Sequence, residues 1–290
     1  EEPTILNEEF EVPTMCDPFG GSGGFTVGFI VNLKSRYPNI NWHTQIGNVH
    51  HYDMNEDVIK SAALEFFCLT GQIPNMSCLR YANSFTDEFN GQKFKKIFTN
   101  PPYGGDDNKK SQKQSKRDKV KKFIKEQLKS EENSDIISIR EAQLKEIDSE
   151  EKLEKKIREQ SKVTLVKSSQ RIIAFAKKHG LKGNDKESVS LIQLMDLVDI
   201  GGTVVGVLKE GVFFNKTYKG LRECLIKNFN VRKVISIPSD QFENTSTKTS
   251  ALVFDNTEEK TSVVEFSEIT VEKFSEDIFK RMTVLPDSKN

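Results

Sequence analysis

Short apolar runs alternate along this chain with longer stretches whose apolar residues recur at helical spacing. Residues 13–16 form a run that stops at Asp17 and a glycine cluster, and residues 25–34 follow as a helix. Residues 49–52 read as a strand and residues 56–69 as a helix, with Val58, Ala62, Leu64 and Phe66 as its apolar face. Residues 76–81 and 96–99 are further strand candidates. After a long polar stretch the pattern resumes. Residues 188–198 and 218–228 predict helices, and residues 203–208, 231–237, 251–254 and 262–266 predict strands. Strand–helix alternation of this kind predicts an α/β fold, a mostly parallel sheet with helices on both faces. Ligands of such sheets bind beyond the carboxyl ends of the strands.

The polar stretch, residues 106–187, is rich in Lys, Glu, Gln and Ser. Structureless loops longer than about 12–15 residues are uncommon inside compact domains. Residues 141–158 also carry opposite charges at three- and four-residue spacing, which supports helix. A charged helical insertion is therefore expected over 106–187, its second half packing through Ile172, Ile173, Ala174 and Phe175, with Asp185 or Ser188 capping the return. It divides the chain into a first half, 1–105, and a second half, 188–290.

Composition narrows the picture. The 290 residues hold 43 Lys plus Arg and 43 Asp plus Glu, a formal net charge of zero. That balance excludes a basic nucleic-acid coat and an acidic disordered tail, so any DNA-binding charge has to be local. No run approaches the roughly 20 apolar residues of a membrane span. Cys16, Cys68, Cys78 and Cys224 form no C-x-x-C pair and have no clustered His, which argues against disulfides and metal and for a reducing, cytoplasmic setting. The chain begins at Glu1, and a piece of a longer protein is expected.

The candidate chemistry starts at Asp17-Pro18-Phe19-Gly20-Gly21-Ser22-Gly23-Gly24-Phe25. Between a strand and a helix, glycines let the backbone approach a ligand and point N–H groups at it. No Gly-Lys-Ser/Thr follows, so it is no phosphate loop, and Thr26 spoils a dinucleotide fingerprint. A plain glycine turn is the alternative. Asp53 ends the second strand candidate, where a carboxylate can accept both hydroxyls of a ribose. It also suits the dipole of the helix that follows. Asn83-Ser84 follows the third strand candidate, where a polar side chain can meet an adenine ring.

Asn100-Pro101-Pro102-Tyr103 follows the apolar run Ile97-Phe98. Two prolines stiffen the backbone and remove two donors. What remains is an amide side chain, carbonyl oxygens and an aromatic ring. The exocyclic amine of a nucleobase is a poor nucleophile, because its lone pair is delocalised into the ring. The Asn100 side-chain oxygen and the Pro101 carbonyl can accept its two hydrogens and stabilise the positive charge it gains in attacking a methyl group. Tyr103 can stack on the base, worth about 1–3 kcal/mol. A Pro-Pro turn with an Asn cap is the alternative for the segment alone.

Taken in order, these segments resemble S-adenosylmethionine-dependent adenine methyltransferases, and most closely the modification subunit of type I restriction–modification systems. That family has D-P-A-C-G-T-G-G-F where this chain has Asp17 to Phe25, so Phe19, Gly20 and Ser22 depart from it. It has N-P-P-F or N-P-P-Y followed by Gly, matched by Asn100 to Gly104. Ile200 to Val205 followed by Lys209 to Phe213 resembles its late strand and turn. Ile237-Pro238-Ser239 and Lys248 to Phe254 resemble its ending.

The resemblance implies a Rossmann-like methyltransferase fold and transfer of a methyl group from S-adenosylmethionine to the N6 amine of a DNA adenine swung out of the duplex. It assigns the methionine part of the cofactor to Asp17, Gly21 and Gly23, with Pro18 and Phe25 in the same loop, the ribose to Asp53 and the adenine to Asn83. It assigns catalysis to Asn100, Pro101, Pro102 and Tyr103. A family segment before the glycine loop is expected to be missing, since only residues 1–13 precede that loop here. Methylating a paired base requires extruding it and holding the backbone with cations. The locally basic run Lys109, Lys110, Lys113, Lys116, Arg117, Lys119, Lys121, Lys122 and Lys125 is the candidate for that contact, an ordinary solvated face being the alternative. Nothing reads a base sequence, so target choice is expected to lie in a separate specificity subunit, a partner beside DNA, or in parts outside this chain. The rival readings are a methyltransferase for a protein glutamine or an RNA guanine, and a copy that binds DNA without catalysis.

Overall fold

The structure is a computed structural model that describes residues 10–104, 107–238 and 248–269. It divides into two compact units, Glu1–Tyr103 with Thr164–Asn290, and Gly104–Val163.

The first unit is built on one sheet of eight strands: β1 (Met15–Asp17), β2 (Val49–Asp53), β3 (Leu79–Tyr81), β4 (Phe94–Thr99), β5 (Val198–Lys209), β6 (Asn230–Ile237), β7 (Thr249–Asp255) and β8 (Glu265–Glu268). Their order is β3-β2-β1-β4-β5-β7-β6-β8. β7 runs antiparallel to both of its neighbours, and the other paired strands are parallel. β1 is buried at every residue and β2 from Val49 to Tyr52, the unbroken burial of strands covered on both faces. β2 lies on one side of β1 and β4 on the other. The connections leaving β1 and β4 therefore diverge, and their carboxyl ends border the crevice where open sheets of this kind take ligands.

The helices are α1 (Gly24–Arg36), α2 (Trp42–Gln45), α3 (Glu56–Thr70), α4 (Asp107–Leu128), α5 (Ser134–Ser161), α6 (Gln170–His179), α7 (Lys186–Leu197), α8 (Gly211–Phe214) and α9 (Lys219–Asn228). α3 starts where the Asn55 side chain accepts from Asp57 N–H and ends at Gly71 in the left-handed region. It buries Ile59, Ala62 and Phe66, whereas Leu64, expected on that face, is exposed. Two positions beyond Ala62, Leu64 is turned about 200° around the helix. β3 is shorter than the expected 76–81, because the Asn75 side chain and carbonyl hold Ser77 and Cys78 in a turn.

The charged insertion is narrower than its expected span of 106–187. The second unit ends at Val163, and residues 164–187 belong to the first. There α6 packs on α7 through Ile172 and Ala176, one turn apart. The expected run Ile172 to Phe175 could not share one helix face, and Ala174 is exposed. α7 opens with a capping box in which Asp185 accepts from Ser188 N–H at 2.8 Å.

The second unit is a helical hairpin. Arg117 of α4 donates to both oxygens of Glu154 on α5, at 2.6 and 2.9 Å, and Lys121 meets Asp148 and Glu151 at 2.7 and 2.6 Å. Ile124 is buried between these pairs and the turn. Among the described residues no helix is long and apolar enough to cross a membrane.

Candidate active site

The glycine loop leaves β1 and lies over β2. Gly20 N–H donates to Tyr52 O at 2.9 Å, and a Cβ on Gly20 would stand 2.2 Å from the His51 ring. Gly21 (φ +51°) and Gly23 (φ +88°) take left-handed backbone, and Gly23 forms the N-cap of α1. Thr26 donates to Gly23 O, so its oxygen is free to accept from His51 Nδ1 at 3.1 Å. That arrangement puts the imidazole proton on Nδ1. Burial pushes the His51 pKa down to about 4, so a neutral ring supports the loop. Phe25 packs against the core cluster beneath α1.

Two carboxylates take different places. Asp17 is buried, and its Oδ1 accepts from Thr99 Oγ1 at 2.6 Å and from Phe19 N–H at 3.1 Å. It ties the end of β1 to the end of β4. Burial raises its pKa to about 7 against the lowering effect of both hydrogen bonds. Asp53 is half-buried at the end of β2. Its Oδ2 accepts from Gly21 N–H at 3.0 Å and its Oδ1 from Asn55 N–H at 2.8 Å. Each oxygen keeps a further lone pair.

The corner Asn100 to Tyr103 follows β4 directly. Pro101 is buried and Pro102 exposed. Tyr103 donates its hydroxyl to Asn100 Oδ1 at 2.5 Å. Burial and the nearby Glu187 carboxylate both push the Tyr103 pKa up, which keeps the phenol a donor.

A cavity of about 250 Å³ joins these pieces. Pro18, Phe19 and Asp53 border it on the glycine-loop side, and Asn100 and Pro102 on the other. Gly21 reaches it through its bond to Asp53. Asn83 does not line it. Its side-chain oxygen accepts from Phe85 N–H at 3.1 Å and its carbonyl takes Thr86 and Asp87 N–H, so the residue is spent on its own turn. Ala82, Ser84 and Phe85 form that wall instead. Ser84 donates to Pro18 O, and Gln193 of α7 donates to Ser84 O at 2.6 Å.

Sequence reasoning pointed to Ser84 beside Asn83 and missed Phe85 and Met54. Phe19, noted only as a departure, stacks obliquely on Phe85 with ring centres 5.0 Å apart, and both line the cavity. The available signal was an aromatic residue inside a glycine loop with a second just after Asn83-Ser84. Met54, an exposed apolar residue directly after Asp53, was a second signal.

The basic run is not uniformly free. Arg117 and Lys121 are consumed in the hairpin seam, while Lys116, Lys119, Lys122 and Lys125 are exposed. The side chains of Lys109, Lys110 and Lys113, like Ser239 of the late motif, lie outside the described residues. Among the described residues no group of His, Cys, Asp and Glu is placed to hold a metal ion, and none of the four cysteines is paired.

Residues 156–285 match the N-6 DNA Methylase family, a segment that holds neither the glycine loop nor the Asn100 corner. No curated protein matches the chain. Among solved structures it is similar to a chain of a type I restriction–modification system, at 15% identity and TM-score 0.58, covering 94% of this chain and 46% of that one. The EcoKI M protein of a type I restriction enzyme is similar at 14% identity and TM-score 0.53, covering 84% of this chain and 40% of that one. The methyltransferase subunit of the Streptococcus thermophilus type I restriction–modification system is similar at 16% identity and TM-score 0.52, covering 97% and 49%. The chain thus spans less than half the length of each of these relatives. It shares the Rossmann-like fold of these type I restriction–modification proteins, and residues 156–285 match the N-6 DNA Methylase family.

Proposed function

We propose that the chain is the catalytic part of an adenine-specific DNA methyltransferase of the restriction–modification kind, cytoplasmic, using S-adenosylmethionine and taking its target sequence from a separate specificity subunit. The observation that carries this is the single cavity bordered by Asp53 on one side and by Asn100 and Pro102 on the other.

The cavity suits the cofactor. Asp53 has lone pairs to spare for ribose hydroxyls, Met54, Phe19 and Phe85 offer apolar surface to a flat ring, and no atom lies within 4 Å of the place a Gly21 Cβ would occupy. The open space beside Gly21, in a loop bent at Gly21 and Gly23, gives room for the methionine part. Asp17 serves this loop from beneath, through Phe19 N–H and Thr99, and Asn83 through the turn that presents Ser84 and Phe85. When bound, S-adenosylmethionine supplies a methyl carbon made electrophilic by its sulfonium, which an amine nitrogen takes as the C–S bond breaks and a proton passes to water.

The corner prepares that nitrogen. Asn100 Oδ1 and the Pro101 carbonyl accept the two N6 hydrogens, draw the lone pair out of conjugation and face the positive charge as it develops. The bond from Tyr103 leaves one Oδ1 lone pair for the amine. The Tyr103 ring is the platform for the extruded base.

The test is Asn100→Ala in the full chain with labelled cofactor and adenine-containing DNA. Cofactor affinity by calorimetry should stay unchanged while methyl transfer falls by about 2–4 orders of magnitude. Near-normal turnover would refute the role of Asn100. Label entering RNA or protein but never DNA would refute the substrate.

A further inference from the structure

A second cavity lies away from Asn100. It measures about 570 Å³ and runs between the last turn of α6, the loop after it and α9. Leu181, Leu221 and Cys224 form its buried floor, and Lys178, Lys182 and Lys227 stand on its rim beside His179. Several cations elsewhere in this unit pair with acids: Arg80 with Asp87, Lys95 with Asp199, Arg171 with Asp196, Lys209 with Glu187, Arg232 with Asp255 and Lys248 with Glu210. Around this cavity the pattern reverses. Lys178, Lys182 and Lys227 form no ion pair among the described residues. The one acid on the rim, Glu223, is engaged by Lys219 at 3.5 Å. The rim of this cavity is therefore a local surface of unpaired positive charge in a chain of zero net charge.

The position of this face is informative. The start of α7 stands between it and the catalytic corner: Glu187 acts electrostatically on Tyr103, Asp185 accepts from the Tyr218 hydroxyl at 3.2 Å, and Thr217, next to Tyr218, lines the cavity. We propose that the α6–α9 groove binds the phosphodiester backbone of the DNA duplex that carries the target adenine. This rests on the reading above. Lysines on mobile stems act as point charges for phosphate and need no base-specific geometry. A cluster of them, unpaired and one element from the pocket, is the local basic surface that a neutral chain requires to hold a duplex while one base is extruded. An acidic protein surface would meet the same charge, but it has no comparable link to the Asn100 corner.

The experiment uses the full chain, a short fluorescent duplex of mixed sequence and anisotropy titrations over a range of salt. Wild type should bind with a steep salt dependence. Lys178→Glu/Lys182→Glu/Lys227→Glu should bind at least about tenfold more weakly, with a log–log salt slope shallower by about 2–3. Lys178→Arg/Lys182→Arg/Lys227→Arg should keep wild-type affinity, and both variants should keep wild-type cofactor affinity, which reports an intact fold. Wild-type affinity and slope in the glutamate variant would overturn the groove and leave the methyltransferase reading standing. Absence of DNA binding by wild type at low salt would overturn both.

Discussion

Gly20 shows how little space the glycine loop leaves. A methyl group there would meet the His51 ring at 2.2 Å, and that ring is held by Thr26 and packed edge-on to Phe66. Gly20→Ala should therefore lift the loop, lowering stability by about 1–3 kcal/mol and weakening the cofactor together. Thermal unfolding and calorimetry check this, and a variant matching wild type in both would contradict it. Asp53 carries a different load. Asp53→Ala removes the acceptor for Gly21 N–H and the proposed ribose contact, so the cofactor Kd should rise at least about tenfold. An unchanged Kd by calorimetry would remove Asp53 from the site. Both residues stand in the segment that the sequence singles out, but their loads were not readable there. Gly20 looked like a departure from a motif, and its necessity comes from a histidine thirty-one positions away in the chain.

At the scale of elements, caps were legible and cross-helix partners were not. The sequence offers Asp185 or Ser188 as the cap of α7, and Asp185 is the N-cap with Ser188 completing the box, because a capping side chain acts within three residues of itself. Asp185→Ala should cost about 1 kcal/mol, read as a lower urea midpoint with unchanged slope, and no shift would refute the cap. The hairpin shows the opposite case. Opposite charges at helical spacing announced helices, yet Arg117 and Lys121 found their acids on the other helix. Reversing Lys121 would break that seam, so Lys119 and Lys122 alone are the fair probe of a phosphate contact by α4. α6 was drawn into the insertion because its flanks are charged, although Ile172 and Ala176 place it in the first unit.

At the scale of the whole molecule, three buried titratable groups set opposing pH dependences. Burial lowers His50 and His51 from 6.5 to about 4. Unfolding frees both rings to take protons, so stability present above pH 6.5 is lost as the pH falls toward 4. Asp17 has the reverse sign. Its pKa rises from 3.8 to about 7 on folding, so its contribution is full below pH 3.8 and is lost as the pH rises through 7. Between pH 4 and 6.5 two histidines outweigh one carboxyl, and Tm should fall on acidification. Asp17→Asn keeps an oxygen to accept from Thr99 and Phe19 but cannot titrate. It should make the acid loss steeper and remove the loss as the pH rises from 6.5 to 7, and Tm–pH curves parallel to wild type would refute this.

By itself the chain's pattern determined the alternation of strands and helices, the glycine loop opening α1 and the proline corner closing β4. Those features rest on periodicity and on restricted backbone angles, which act within a few residues. Tertiary structure alone decided the rest. Asp17 turned inward because Thr99, 82 positions away, came beside it when β4 paired with β1. Asp53 faced the cavity, Asn83 folded into its own turn, and the unpaired lysines gathered between α6 and α9. Each outcome depends on which distant groups the strand order brings together, and local composition holds no record of that.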